Sequence, residues 1–138
     1  MTLYLDTSSV IKLYLSGSDH VRKLVDDAAV VATSVVTYAE THAALARLRR
    51  EKALTIANFR SAKSAFEGQW ATFLTLDATD SLSRAAGTLA EQYRLRGFDS
   101  VHLASFAEVA RRAGPSEARV LQLRRSPESS RGEVASNS

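Results

Sequence analysis

The chain alternates short apolar runs with longer segments in which apolar residues recur every three or four positions. Three short runs have the length and composition of buried strands: residues 3–5, 30–33 and 73–76. The longer segments predict six helices, over residues 10–15, 19–28, 36–50, 55–70, about 82–93 and 99–113. Strands that alternate with helices in this way predict an α/β fold, with a mostly parallel central sheet covered by helices on both faces.

The end of the chain changes in character after one more candidate strand. Gly114 and Pro115 should stop the sixth helix, and residues 120–123 are apolar enough to form a fourth strand. Residues 126–138 contain no aromatic residue and only two apolar ones, so they cannot offset the entropy lost on ordering. We therefore expect one domain over residues 1–123 and a disordered tail over residues 124–138.

Composition and charge exclude several classes of protein. The 138 residues are enough for one domain with a real core, and the absence of cysteine excludes disulfide scaffolds, zinc ribbons and cysteine nucleophiles. The first residues lack the basic segment and apolar run of a secretory signal, and no apolar stretch is long enough to span a membrane. We therefore expect a cytoplasmic protein. The net charge of +3 permits a polyanionic partner without requiring one.

Three acidic residues occupy positions where chemistry or an unusual environment is expected. Asp6 ends the first strand, and ligands of open α/β sheets bind outside the carboxyl ends of strands. Glu40 has small and apolar neighbours on the third helix, where an unpaired carboxylate is costly. Asp99 begins the sixth helix. Each also has a simpler interpretation, since Asp6 and Asp99 can cap helices and Glu40 can pair with an arginine.

Taken together, the three acids predict a site for a hard divalent cation. Carboxylates that converge repel one another unless a cation neutralises them, and Mg²⁺ prefers a few carboxylates with water and phosphate oxygens. Such an ion can polarise a phosphate and lower the pKa of bound water, which points to hydrolysis of a nucleic-acid backbone. His102 lies one turn beyond Asp99 and is expected to support a neighbour rather than bind the ion, whereas His20 and His42 are expected at the surface.

The segments that hold these acids resemble, in order and spacing, the three motifs of PIN-domain ribonucleases, and of VapC-type toxins in particular. They are residues 5–14 (LDTSSVIKLY), 33–40 (TSVVTYAE) and 96–104 (RGFDSVHLA). The resemblance covers about residues 1–113. It implies an endoribonuclease that depends on Mg²⁺ or Mn²⁺ and has the three-layer α/β/α sandwich of PIN-like proteins, with a central sheet of about four strands.

The same resemblance implies roles for individual residues and two partners. Asp6 and Asp99 would bind the metal, and Glu40 would complete the catalytic set directly or through water. Ser8 would supply a supporting hydroxyl near Asp6. Relatives of this type usually work as homodimers and are held inactive by a cognate VapB-type antitoxin.

The C-terminal part of the chain departs from the family pattern. In the family, the third motif is followed by a strand that ends in a further acidic residue. Residues 120–125 read VLQLRR here, with Glu117 before them and Glu128 in the tail. The fourth acid is therefore unknown, and a second metal ion would lack a counter-charge. We expect cleavage that needs a high metal concentration, or none.

Two other functions fit part of the pattern. An altered C-terminus would leave an inactive PIN-like module that binds RNA or an antitoxin. A phospho-receiver domain would use Asp77 as its acceptor and Asp6 as a Mg²⁺ ligand. A receiver site also requires a pair of acids after the first strand and a lysine near the end of the domain, and this sequence has neither.

The third and fourth helices carry basic and aromatic residues with two interpretations each. A basic face can steer RNA phosphates, although simple solvation explains most of its members: Arg47, Arg49, Arg50, Lys52, Arg60 and Lys63. An aromatic stripe predicts a helical hairpin that packs inward or against a second copy: Ile56, Phe59, Phe66 and Trp70.

Overall fold

The computed structural model describes residues 1–15 and 19–121, which form the predicted α/β/α sandwich. The strands are β1 (Thr2–Leu5), β2 (Val30–Ser34), β3 (Leu74–Leu76) and β4 (Ala118–Leu121). The helices are α1 (Thr7–Leu15), α2 (Asp19–Asp27), α3 (Val36–Arg50), α4 (Ile56–Trp70), α5 (Asp80–Tyr93) and α6 (Gly97–Ala113), and a short 3₁₀ helix (Pro115–Glu117) precedes β4.

The four strands of the described chain form one parallel sheet in the order β3-β2-β1-β4. In this register Leu3 lies opposite Val31 on one side and Arg119 on the other. The predicted fourth strand is confirmed as an edge strand, but it begins at Ala118 rather than Val120. Residues 122 and 123 of that prediction, and the expected tail over residues 124–138, lie outside the described residues.

Side chains of β1 alternate between the two faces of the sheet and so belong to two separate cores. Leu3 and Leu5 pack in the core formed with α1, α2 and Phe66 of α4. Tyr4 points to the opposite face, where it packs with Phe106 and other residues of α6. All-parallel sheets need cover on both faces, and this alternation provides an apolar surface for each layer of helices.

Hydroxyl caps set the starts of two helices. The Thr55 side chain accepts a hydrogen bond from the Asn58 amide at 3.0 Å, so α4 begins at Ile56. The Thr79 side chain accepts in the same way from the Leu82 amide at 3.1 Å, at the start of α5. Each cap satisfies an amide that the first turn of a helix leaves without a partner.

Helices α3 and α4 pack together as the predicted hairpin, and the aromatic stripe is partly buried. Phe66 is completely buried and Trp70 half-buried, whereas Ile56 is 49% exposed and does not pack inward. The expectation that His42 lies at the surface holds only in part, because 26% of its side chain is exposed. Its ring contacts Phe66, and its Nε2 lies 2.6 Å from a carboxylate oxygen of Glu67.

The remaining surface expectations hold. His20 is exposed, as are all the basic residues of the α3–α4 face except the half-buried Arg49, whose guanidinium donates to the Leu54 carbonyl at 3.3 Å. Within residues 1–15 and 19–121, no helix is long and apolar enough to cross a membrane.

Replacing Phe66 by Ala should lower the free energy of unfolding by about 3–5 kcal/mol, because it removes a fully buried ring and leaves a cavity. As a matched control, Tyr93→Ala removes a ring that is 51% exposed and should change stability by no more than about 0.5 kcal/mol. Urea denaturation at a fixed protein concentration measures both variants. Equal midpoints for the two variants would contradict the assigned core.

Candidate active site

A cavity of about 520 Å³ at the carboxyl edge of the sheet brings the three predicted acids together. Asp6 directly follows β1, Glu40 lies in the second turn of α3, and Asp99 lies in the first turn of α6. Ser8 and His102, the two predicted supporting residues, line the same cavity. The predicted clustering of the carboxylates in one place is therefore what the structure shows, while their chemical roles stay predictions.

Asp6 is buried and caps α1. Its Oδ1 accepts a hydrogen bond from the Ser9 amide at 2.9 Å, and its carbonyl accepts from the Val10 amide at 3.1 Å. Because of this cap, α1 begins at Thr7 rather than at Val10 as the sequence predicted. The capping interpretation is therefore correct, and it does not exclude a second role, since a carboxylate has about four lone-pair sites.

Glu40 is held by a hydrogen-bond network that reaches into the core. The Thr7 hydroxyl donates to Glu40 Oε1, and His102 Nε2 lies 3.1 Å from the same oxygen. The other ring nitrogen of His102, Nδ1, lies 2.8 Å from the hydroxyl of Tyr4. The Glu40 side chain remains 23% exposed, so the network ends at the cavity wall.

Sequence reasoning missed two members of this network. Tyr4 belongs to the apolar run that predicts the first strand, and Thr7 directly follows Asp6 in the first motif segment. One signal was present for Tyr4, because strand alternation puts it on the face opposite Leu3 and Leu5, and a buried tyrosine hydroxyl needs a partner. For Thr7 the sequence offers no comparable signal.

Burial raises the pKa of the Tyr4 phenol above its usual value, and the negative charges of Asp6 and Glu40 raise it further. The phenol therefore keeps its proton at neutral pH and remains a hydrogen-bond donor.

Asp99 does not cap α6, so its predicted position as the first residue of that helix is wrong. The helix begins at Gly97, with Arg96 in the N-cap position and the Ser100 amide donating to the Arg96 carbonyl at 2.9 Å. The Asp99 carboxylate lies in the first turn, where the helix dipole favours negative charge, and 3.2 Å from Arg96 Nε. This ion pair is well exposed, and pairs of that kind contribute little, so Arg96 can leave it at small cost.

The donor chemistry of the cavity fits a hard divalent cation, because carboxylate oxygens are the ligands that Mg²⁺ and Mn²⁺ prefer. Across the described parts of the chain, however, no three His, Asp or Glu side chains lie close enough together to form a ready metal site. Glu40 accepts a hydrogen bond from Thr7, and Asp99 forms an ion pair with Arg96. The cavity therefore supplies the right donors, and they would have to converge on an ion.

Two other predicted acids lie elsewhere. Asp77, the acceptor of the phospho-receiver hypothesis, follows β3 and lines a separate cavity beside α5 and α6, away from Asp6. Glu117 precedes β4, and because β4 runs parallel to β1, it lies at the opposite edge of the sheet from the active-site acids. It therefore cannot be the missing fourth acid, and Glu128 lies outside the described residues.

The capping role of Asp6 predicts a difference between two substitutions. Asp6→Asn keeps a cap of similar strength, whereas Asp6→Ala removes it and should be less stable than Asp6→Asn by about 1 kcal/mol. Both variants lose the same charge, so the difference reports the cap alone. Thermal and urea unfolding of the pair measures it, and equal stabilities would show that the bond to Ser9 does not hold α1.

Comparison with known proteins agrees with this geometry. The family model of the PIN domain matches residues 3–110, which include all three motif segments. Ribonuclease VapC49 of Mycobacterium tuberculosis (strain ATCC 25618 / H37Rv) is 35% identical over 105 residues, which cover 75% of this chain and 73% of that protein.

Solved structures share the fold. VapBC2 from Rickettsia felis, bound to a DNA fragment from its promoter, superposes with a TM-score of 0.60 at 15% identity, covering 79% of this chain and 83% of that one. Mycobacterium tuberculosis VapC20, a toxin that cleaves the sarcin-ricin loop, superposes with a TM-score of 0.58 at 20% identity, covering 87% and 89%. With most of its length matched by the family model, and with a VapC relative at 35% identity, the chain belongs to the PIN-domain family and, within it, to the VapC type.

Proposed function

We propose that this protein is a metal-dependent endoribonuclease, a VapC-type toxin that hydrolyses RNA phosphodiester bonds in the cavity bounded by β1, α3 and α6. The observation that carries the proposal is the meeting of Asp6, Glu40 and Asp99 in one cavity at the carboxyl edge of a parallel sheet. RNA as the substrate is supported by the relatives, since VapC49 is named a ribonuclease and VapC20 cleaves the sarcin-ricin loop.

Asp6 and Asp99 would hold Mg²⁺ or Mn²⁺, and Glu40 would complete the site directly or through water. Such an ion, when bound, polarises a phosphate and lowers the pKa of the attacking water. The cap on α1 fixes the Asp6 carboxylate before substrate arrives, so little reorganisation is needed there. Glu40 is the carboxylate placed to accept a proton from the water, because it reaches the cavity while hydrogen bonds hold its Oε1.

Arg96 completes this proposal at the mouth of the cavity. Its guanidinium is 68% exposed and pairs with Asp99 in the absence of ligand. A guanidinium binds phosphate oxygens with strong charge-assisted hydrogen bonds, so Arg96 can pass from Asp99 to the RNA backbone. That exchange would release Asp99 at the moment when a cation and a phosphate enter together.

The same family membership supports two partners. The Rickettsia felis neighbour was solved as VapBC2, which supports a VapB-type antitoxin for this chain as well. A homodimer is supported by exposed apolar side chains, among them Val35, Tyr38 and Ile56, which are 39%, 38% and 49% exposed in the single chain. The absence of cysteine fits a reducing compartment, and we place the activity in the cytoplasm.

Asp6→Asn should abolish metal-dependent cleavage of RNA, because it removes a ligand charge while keeping the cap on α1. The matched control is Asp77→Asn, which makes the same chemical change at another strand end outside the cavity and should keep the parent rate. Cleavage of a labelled RNA is followed over a titration of Mg²⁺ and of Mn²⁺, with a chelator as the blank. If Asp6→Asn cut RNA as fast as Asp77→Asn, the proposed metal role would be wrong.

Because the fourth acid of the family pattern is missing, we expect the parent enzyme to need a high metal concentration for cleavage. Arg124→Asp, which restores an acid near the expected end of the last strand, should lower the metal concentration for half-maximal cleavage on the order of tenfold. Arg125→Asp carries the same change of charge one residue further on and serves as the control. Full activity of the parent at low metal would show that the C-terminal departure is harmless. No cleavage by either the parent or Arg124→Asp at any metal concentration would instead favour the inactive binding module.

A further inference from the structure

A row of hydrogen bonds connects the core of the sheet to the active-site cavity through His102. Tyr4, which is completely buried on β1, places its hydroxyl 2.8 Å from His102 Nδ1. His102, itself only 6% exposed, places Nε2 3.1 Å from Glu40 Oε1. The row therefore begins at a completely buried side chain and ends at a carboxylate that lines the cavity.

The groups at the two ends of this row determine where the proton of His102 lies. A tyrosine hydroxyl carries its proton at neutral pH, and an ionised carboxylate can only accept. If Tyr4 donates to Nδ1, the neutral ring carries its proton on Nε2, and that N–H points at Glu40. The opposite tautomer would set the lone pair of Nε2 against the carboxylate oxygen. The Thr7 hydroxyl, 3.1 Å from Nε2, could then donate to the ring only by leaving Glu40, which would lose both donors at Oε1.

We propose that Tyr4 and His102 are positioning residues that hold the Glu40 carboxylate in place at the cavity wall. The Tyr4 hydroxyl fixes the tautomer of His102, and the Nε2–H of His102, together with the Thr7 hydroxyl, then holds Oε1 of Glu40. A long glutamate side chain held by two donors loses its freedom before substrate binds, which is what a proton acceptor or metal ligand needs. The consequence for catalysis rests on the proposed ribonuclease function. The assignment of the His102 tautomer does not depend on that function.

Tyr4→Phe isolates the hydroxyl. The ring of Tyr4 packs edge-on against His102 and Phe106, and a phenylalanine ring keeps those contacts. The matched control is Tyr14→Phe, since half-buried Tyr14 donates its hydroxyl to Gln69 and neither residue lines the cavity. Any effect seen in the first variant and absent from the second belongs to the row and not to the loss of a tyrosine hydroxyl in general.

The first measurement is ¹⁵N NMR of the imidazole rings in the full chain, in which His20 and His42 are the only other histidines. We expect His102 to show the Nε2–H tautomer in the parent and in the control Tyr14→Phe, and a mixture of the two tautomers in Tyr4→Phe. A ring protonated on Nδ1, or on both nitrogens, in the parent would overturn the proposal. So would an unchanged His102 spectrum in Tyr4→Phe.

The second measurement is Mn²⁺ binding, followed by the loss of the free-ion electron paramagnetic resonance signal, beside the kinetics of RNA cleavage. Tyr4→Phe should weaken Mn²⁺ binding or lower kcat on the order of tenfold while KM for RNA changes less than about twofold. His102→Gln, whose amide can still donate to Glu40, should retain more activity than His102→Leu. Parent-like Mn²⁺ affinity and kcat in Tyr4→Phe would overturn the positioning role.

The outcomes separate this proposal from the proposed function. If the parent does not cleave RNA at all, the ribonuclease proposal fails, but the tautomer and the Mn²⁺ affinity still test the role of Tyr4. If the parent cleaves RNA and Tyr4→Phe matches Tyr14→Phe in every measurement, the row serves only folding and the proposal fails alone.

Discussion

Three carboxylates line one cavity, and the hydrogen bonds and the ion pair that compensate their like charges are the interactions on which the site depends. Asp6, Glu40 and Asp99 line a single space, and like charges at close range disfavour one another unless donors or a cation compensate. Each acid has a different donor: a backbone amide of α1 for Asp6, a threonine and a histidine for Glu40, and an exposed arginine for Asp99. The weakest of these, the arginine, is also the one at the mouth, where a ligand would arrive first.

The parallel sheet explains why these acids meet. Parallel strands end at the same edge of the sheet. Asp6, which follows β1, and Glu40, on the helix that follows β2, therefore meet there although they are distant in the chain. Alternation along β1 then directs its side chains to the two faces of the sheet. Leu3 and Leu5 anchor one layer of helices, and Tyr4 anchors α6, which brings His102 and Asp99 to the cavity. One short strand therefore supports both the fold and the site.

Sequence patterns were sufficient for the fold class, for most helices and strands and for bringing the three acids to one cavity, because hydrophobic periodicity and motif spacing are local properties of the chain. They failed where the outcome depended on a tertiary partner. Helix α6 starts at Gly97 rather than Asp99, because Arg96 supplies the first carbonyl and pairs with that aspartate. Tyr4 and Thr7 looked like ordinary strand and cap residues, and only the folded chain shows that both converge on His102 and the acid beside it.

The most direct test of the central claim is a crystal of the protein grown or soaked with Mn²⁺ and measured for anomalous scattering. The account predicts a peak in the cavity at Mn²⁺–oxygen bonding distance from Asp6 and Asp99, with Arg96 displaced from its partner. The same peak should be missing in crystals of Asp6→Asn. A well-ordered cavity without a peak, at a Mn²⁺ concentration that supports RNA cleavage in solution, would contradict the claim that these carboxylates form the metal site.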